Sequence, residues 1–191
     1  MKKMETINQL KKLGLATAEV KEFKAEQLEE MISYANELIN KYGSFNLRTD
    51  TNSNNNFNLP FIMNCSISKL VKTVKDYGNR ITYLVHENIP TDNQLFNGVL
   101  RLVDGKVIGE INDKDKTSLR RAMKNAAHLK QVCTNGDTPV FKKIKKDLDR
   151  IDFNGWVELT AYQDGRVVYW QLLPEKMNHA LRELFLANVI S

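Results

Sequence analysis

The stretch Asn154–Pro174, NGWVELTAYQDGRVVYWQLLP, constrains the fold more than any other part of the chain. Over 156–162 apolar residues alternate with polar and aromatic ones, which is the two-residue period of a β-strand. The Gln163-Asp164-Gly165 segment then provides a turn, in which Gly165 can take the positive φ that a tight turn requires. A second β-rich run at 166–172 completes the prediction of an antiparallel hairpin.

Two polar side chains of this hairpin, Glu158 and Gln171, occupy positions where apolar or β-branched residues are the common choice. One interpretation is a pair of polar groups that satisfy each other at the edge of a sheet. The other is a binding site built on two neighbouring strands, which hold side chains more firmly than a loop does. Features elsewhere in the sequence are needed to distinguish these two interpretations.

The length and composition are those of an ordinary globular protein. The 191 residues are enough for one domain, with two lobes predicted at 1–79 and 80–191. No apolar run approaches the roughly 20 residues that cross a bilayer, and the N-terminus lacks the apolar core of a signal peptide. We therefore expect a cytoplasmic protein without a membrane partner.

The cysteines and the net charge exclude some classes of site and leave others open. Cys65 and Cys133 are too few and too far apart to indicate a disulfide framework or a zinc site, so both are expected to be reduced and partly buried. The formal net charge of +5 favours an anionic partner, although a solvated lysine-rich surface explains the same excess.

Helices and antiparallel hairpins alternate without a strict βαβ rhythm, which predicts the α+β class with helices covering the sheets. A polar loop at 49–58 is either disordered or wraps a ligand. Further strands are expected at 44–48, 61–67 and 80–89, and a second hairpin turns at Asp104-Gly105. The predicted helices lie at 3–12, at 28–42, from Ser66 or Ser68 to Tyr77, around 117–132 with Leu129 and Val132 on its apolar face, from Pro139 onward and after Asn178.

Five short motifs occur along the whole chain in an order that resembles a known family. They are Lys3 with the LGLAT run at 13–17, Leu47-Arg48-Thr49 before the polar loop, YLVHENI at 83–89, Asn97-Gly98-Val99, and the hairpin VEL…G…VYWQ…P that ends at Pro174. This order is similar to the nucleotide-binding domain of ATP-grasp enzymes of the pyruvate phosphate dikinase and phosphoenolpyruvate synthase type, in a shortened and partly degenerate form. The resemblance implies antiparallel hairpins with covering helices, in two small lobes around a cleft.

The resemblance also implies a role for each matching residue, with ATP and Mg²⁺ as cofactors. Lys3 and Arg48 match the family's phosphate-binding and catalytic cations, and His86 stands on the strand along the adenine. Glu158 matches the metal-binding glutamate, and Gln171 the glutamine that helps to hold phosphate or metal. These residue types suit phosphoryl transfer, which needs positive charge and donors around the phosphate oxygens, and Mg²⁺ takes oxygen ligands.

Several positions depart from the family pattern. Trp156 stands where relatives often carry an acidic residue, and Leu172-Leu173 replace an arginine that follows the glutamine. Each loss weakens the stabilisation of the transition state. Glu87 or Glu110 is a candidate for a second carboxylate at the metal.

Two functions from different classes follow from these matches and departures. The first is a Mg²⁺–ATP-dependent phosphotransferase or ligase that acts on a substrate supplied in trans. The second is a non-catalytic accessory protein on the same scaffold, which binds a protein or a nucleic acid. Its surface would be basic, formed by Arg120, Arg121, Lys124 and the lysines of 142–146.

Overall fold

The structure is a computed structural model that describes residues 3–50, 59–88, 93–113, 129–151 and 153–174. Most of the polar loop at 49–58 and the helix predicted after Asn178 lie outside these residues, as do Arg120, Arg121 and Lys124. The chain divides into two compact units. The first contains residues 3–5 and 18–88 of the described chain, and the second contains 6–17 and 93–174. In the described ranges, no helix is long and apolar enough to span a membrane.

The first unit is a four-stranded antiparallel sheet with two helices packed on one of its faces. The strand order is β1-β4-β2-β3, so the strand predicted at 80–89 belongs to this sheet. The elements are β1 (Val20–Phe23), α2 (Leu28–Tyr42), β2 (Phe45–Asp50), β3 (Phe61–Cys65), α3 (Ile67–Tyr77) and β4 (Thr82–Glu87), and they follow helix α1 (Lys3–Lys12) in the chain.

Local sequence signals set the ends of both helices of the first unit. Helix α2 ends at Gly43, whose φ of 79° is the left-handed conformation that glycine adopts without strain. Helix α3 begins after Ser66, whose side-chain oxygen accepts a hydrogen bond from the Lys69 N–H. Of the two predicted caps, Ser66 is therefore the one used, and it satisfies a free N–H of the first turn.

The two faces of the first sheet differ in character. Phe45 and Leu47 pack against the helices, together with Tyr83 and Val85 of the neighbouring strand. The residues that alternate with them on β2 and β4, including Arg48 and His86, point to the opposite face because successive side chains of a strand alternate. That opposite face also carries Asn46 and Asp50 of β2.

The second unit is a five-stranded antiparallel sheet in the order β7-β6-β5-β8-β9. Both predicted hairpins are confirmed, with Asp104 and Gly105 at φ values of 48° and 71° in the first turn and Gly165 at 83° in the second. The elements are β5 (Gln94–Val103), β6 (Lys106–Asn112), β7 (Leu129–Thr134), helix α4 (Pro139–Asp149), β8 (Gly155–Tyr162) and β9 (Val167–Pro174).

Helix α4 covers one face of this sheet. Val157, Leu159 and Ala161 point to that side, as their alternation predicts, and they share a core with Ile144 of α4. The buried Tyr169 hydroxyl donates a hydrogen bond to Asp147 Oδ2 at 3.0 Å and so ties the helix to strand β9. The face that carries Glu158 is not packed against α4.

The helix predicted around 117–132 is wrong at its C-terminal end. Leu129 and Val132 lie on strand β7, which pairs with β6 so that Gly109 is opposite Val132. The three-residue spacing of Leu129 and Val132 fits a helix, but pairing with β6 decides the conformation of this short segment. Residues 114–128 are outside the described chain.

Both cysteines are free thiols, but only one fits the expectation of partial burial. Cys65 is buried on β3, and burial raises its pKa to about 11. Cys133 is exposed on β7.

Candidate functional site

A row of long polar side chains crosses the face of the second sheet that is opposite to α4. Val99 on the central strand β5 is directly opposite Glu110 on β6 and Glu158 on β8, and Glu158 is opposite Gln171 on β9. Directly opposite residues of antiparallel strands share a face, with Cβ atoms about 5 Å apart. The register therefore places Glu158 and Gln171 side by side, with Glu110 beyond Val99.

A β-bulge lies beside this pair. Glu158 is opposite Gln171 whereas Leu159 is opposite Tyr169, so Trp170 is the extra residue of strand β9. Bulges re-aim side chains and are common next to functional sites. Here the bulge turns the Trp170 indole toward β8, where its Nε1–H donates to Thr160 Oγ1 at 2.8 Å.

Next to the carboxylate row lies a second polar row that the sequence interpretation missed. The Thr160 hydroxyl donates to Asn97 Oδ1 at 2.6 Å, and Asn112 is opposite Asn97 on the neighbouring strand. Asn97, Asn112 and Thr160 are all buried. The available signal was the two-residue period, which places Thr160 on the same face as Glu158.

Thr160→Val is expected to lower the free energy of unfolding by about 2 kcal/mol, because Asn97 Oδ1 and Trp170 Nε1 both lose this buried partner. Urea denaturation measures the change. Thr160→Ser keeps the hydroxyl and loses only a methyl group, so its cost should be about 1 kcal/mol or less. Equal losses in the two variants would show that the hydroxyl contributes nothing.

In the first unit, three side chains form a stack on the face opposite to the helices. The Arg48 guanidinium carbon lies 4.8 Å from the centre of the Phe61 ring. The Phe61 ring in turn is stacked on the His86 imidazole, with centroids 6.5 Å apart and planes 10° apart. Phe61 is 44% exposed whereas His86 is buried, so Phe61 is the aromatic ring of this stack that a ligand can reach. Phe61 was not singled out from the sequence.

His86 is an uncharged member of this stack. Burial, together with the positive charge of Arg48, lowers its pKa to about 3. Its Nδ1 lies 2.9 Å from the Glu87 carbonyl oxygen, which accepts the hydrogen bond, so the neutral ring carries its proton there. His86 is therefore a buried, uncharged ring behind Phe61, and it offers no positive charge to a phosphate.

The predicted site residues fall into three groups. Arg48 and His86 lie together in the first unit, and Glu158 and Gln171 lie together in the second. Lys3 is the first residue of α1, but its side chain is outside what the structure describes.

The two candidates for a second carboxylate lie on different sheets. Glu87 is opposite Phe45, on the helix-packed face of the first sheet. Glu110 is on the same face of the second sheet as Glu158. Of the two, only Glu110 stands in the row of Glu158.

The side chains around Glu158 carry oxygen atoms of the type that bind Mg²⁺. The neighbouring groups are carboxylates and amides, whose oxygens are the hard ligands that Mg²⁺ takes. Among the described residues, no three His, Cys, Asp or Glu side chains gather into a metal-binding cluster. A Mg²⁺ ion here would complete its shell with phosphate and water oxygens, as this ion usually does.

Comparisons with known proteins agree with this arrangement at the level of the fold. No family model and no curated protein matches the chain. Solved structures that match the chain in fold include three at 12% to 13% sequence identity. A RimK domain ATP-grasp protein from Sphaerobacter thermophilus aligns over 96% of this chain with a TM-score of 0.56. An ATP-grasp ligase associated with a RiPP in Chryseobacterium gregarium, solved with ADP and with a leader and core peptide, aligns over 89% with a TM-score of 0.56. The D-alanine–D-alanine ligase of Coxiella burnetii aligns over 91% with a TM-score of 0.55.

These likenesses establish the ATP-grasp fold and the α+β class, both of which the sequence predicted. They do not single out the phosphoenolpyruvate-using type. The chain spans only 62%, 50% and 47% of the lengths of these three structures, in the order given.

Proposed function

We propose that this chain is the nucleotide-binding part of an ATP-dependent ligase that works with Mg²⁺ on a substrate supplied in trans. The observation that carries the proposal is the adjacent pair of Glu158 and Gln171 on the sheet face opposite to α4, within an ATP-grasp fold. One ATP-grasp neighbour is described as a ligase in complex with ADP, and another is described as a RimK domain protein.

In this proposal Glu158 and Gln171 hold the metal, and Mg²⁺ when bound neutralises charge on the phosphate oxygens. Arg48 presents its planar guanidinium to the phosphates, for which two parallel N–H donors are well suited. Lys3 supplies a further positive charge. The exposed Phe61 ring offers a flat apolar surface for the nucleobase, and the buried, neutral ring of His86 stacks against Phe61 on the adenine side of the site.

The acceptor that we propose is a peptide or a protein. One neighbour is described as bound to a leader and core peptide, which favours a peptide or protein acceptor. The phosphoenolpyruvate-type activity is a second candidate, favoured by the VEL…VYWQ…P pattern, in which Gln171 matches the family's glutamine.

A non-catalytic role on a basic surface is not favoured by the described residues. Lys143 and Arg150, on and just after α4, both pair with the Asp147 carboxylate, at 2.9 and 3.1 Å. The contact of Lys143 neutralises part of the lysine surface of 142–146 that a nucleic acid would need.

Thermal unfolding with and without ADP and Mg²⁺ tests the proposal. A ligand at a hundred times its dissociation constant stabilises the folded state by about 2.7 kcal/mol, which raises the melting temperature by several degrees in a chain of this size. We expect the full shift only when ADP and Mg²⁺ are present together. No shift with millimolar ADP and Mg²⁺ would overturn the nucleotide-binding proposal.

A further inference from the structure

We propose that Glu110 is a ligand of the same divalent cation as Glu158, reaching it from the opposite side of Val99. This inference rests on the proposed function, because it assigns a further residue to the metal site. It separates Glu110 from Glu87, which the sequence could not do.

The geometry of the sheet brings the two carboxylates within reach of one ion. Glu110 and Glu158 both stand opposite Val99, one on each neighbouring strand. Two strand spacings separate their backbones by roughly 10 Å. The Val99 side chain between them is shorter than either glutamate, so both carboxylates can extend above it and approach the same point.

The environment of Glu110 points to a ligand that balances its charge. Its side chain is only 8% exposed. In the part of the chain that the structure describes, its carboxylate has neither a hydrogen-bond nor an ion-pair partner. The oxygens of this carboxylate are not among the fully enclosed atoms of the structure, but a largely buried carboxylate without a protein partner is still costly. A divalent cation shared with Glu158 supplies that compensation.

The neighbouring residue Gly109 sets the position of Glu110. A Cβ atom on Gly109 would lie 2.2 Å from the Val99 carbonyl oxygen, so only glycine lets β6 approach β5 this closely. The close approach brings the Glu110 backbone toward Val99 at the point where Glu158 arrives from the other side.

The burial of Glu110 also predicts what its neutral analogue does to stability. Burial raises the pKa of Glu110. Glu110→Gln keeps the size of the side chain and removes the buried charge. Without metal, the variant should therefore unfold at the same or a higher temperature than the wild type. If the Glu110 carboxylate stabilised the fold itself, the variant would unfold at a lower temperature.

Binding of Mn²⁺ tests the inference, because electron paramagnetic resonance counts the free ion directly. The full chain is titrated with Mn²⁺ in the presence of saturating ADP. Glu110→Gln is expected to weaken Mn²⁺ binding by about 10- to 100-fold while ADP binding without metal is unchanged. Glu37→Gln, on the exposed side of α2, is the matched control and should bind Mn²⁺ like the wild type.

The outcomes separate this inference from the proposed function. If the wild type binds neither ADP nor Mn²⁺, the proposed function fails. If it binds both and Glu110→Gln binds Mn²⁺ with wild-type affinity, only the assignment of Glu110 is overturned. Loss of Mn²⁺ binding in Glu87→Gln but not in Glu110→Gln would assign the second carboxylate to the first unit instead.

Discussion

Glu158→Gln is expected to weaken the binding of Mg²⁺–ADP by about a hundredfold and to leave metal-free ADP binding unchanged. Glu158 stands next to Gln171 in the register of the final hairpin, and Gln171 carries no charge with which to replace it. A glutamine at 158 keeps an oxygen ligand of similar reach but loses the negative charge that attracts a hard divalent ion. The loss should therefore appear only in the metal-dependent part of the affinity.

Calorimetric titration of ADP into the protein, with and without Mg²⁺, measures both parts of the affinity. Glu37→Gln removes the same charge from an exposed position of α2 and should behave like the wild type. Full retention of the Mg²⁺-dependent gain in Glu158→Gln would remove Glu158 from the metal site. The ATP-grasp fold would stand, but the metal would have to be held elsewhere.

Gly109→Ala is expected to lower the free energy of unfolding by about 3 kcal/mol, the upper part of the usual range for overpacking. The added Cβ would lie 2.2 Å from the Val99 carbonyl oxygen and 2.9 Å from the Leu100 Cα. Both of these atoms belong to the backbone of β5, so the clash is relieved only if the two central strands move apart. Leu100 is fully buried in the core of this unit, which makes such a movement costly.

Urea denaturation of the variant measures this effect, and Gly105→Ala is the matched control. Gly105 has a positive φ of 71° and open space around its Cβ position, so alanine there costs only the backbone strain, about 1 kcal/mol. If Gly109→Ala were no less stable than Gly105→Ala, β6 would not approach β5 as closely as described. The placement of Glu110 would then lose its support.

Local patterns in the sequence predicted much of the fold and part of the candidate site. The alternation over 156–162 and the turn at Gly165 were enough to place Glu158 and Gln171 on adjoining strands. The apolar stripe of 28–42, ended by Gly43, was enough for helix α2. In each case the deciding interactions lie within a few residues of one another along the chain.

The pairing of distant segments was decided only by the tertiary structure. Leu129 and Val132 have a spacing that fits a helix, yet strand β6 makes this segment a strand. Glu87 and Glu110 are equivalent as polar residues on predicted strands, and strand order alone puts Glu110 in the row of Glu158. Periodicity determines which side chains share a face of one element, whereas the free energy of long-range packing determines which elements become neighbours.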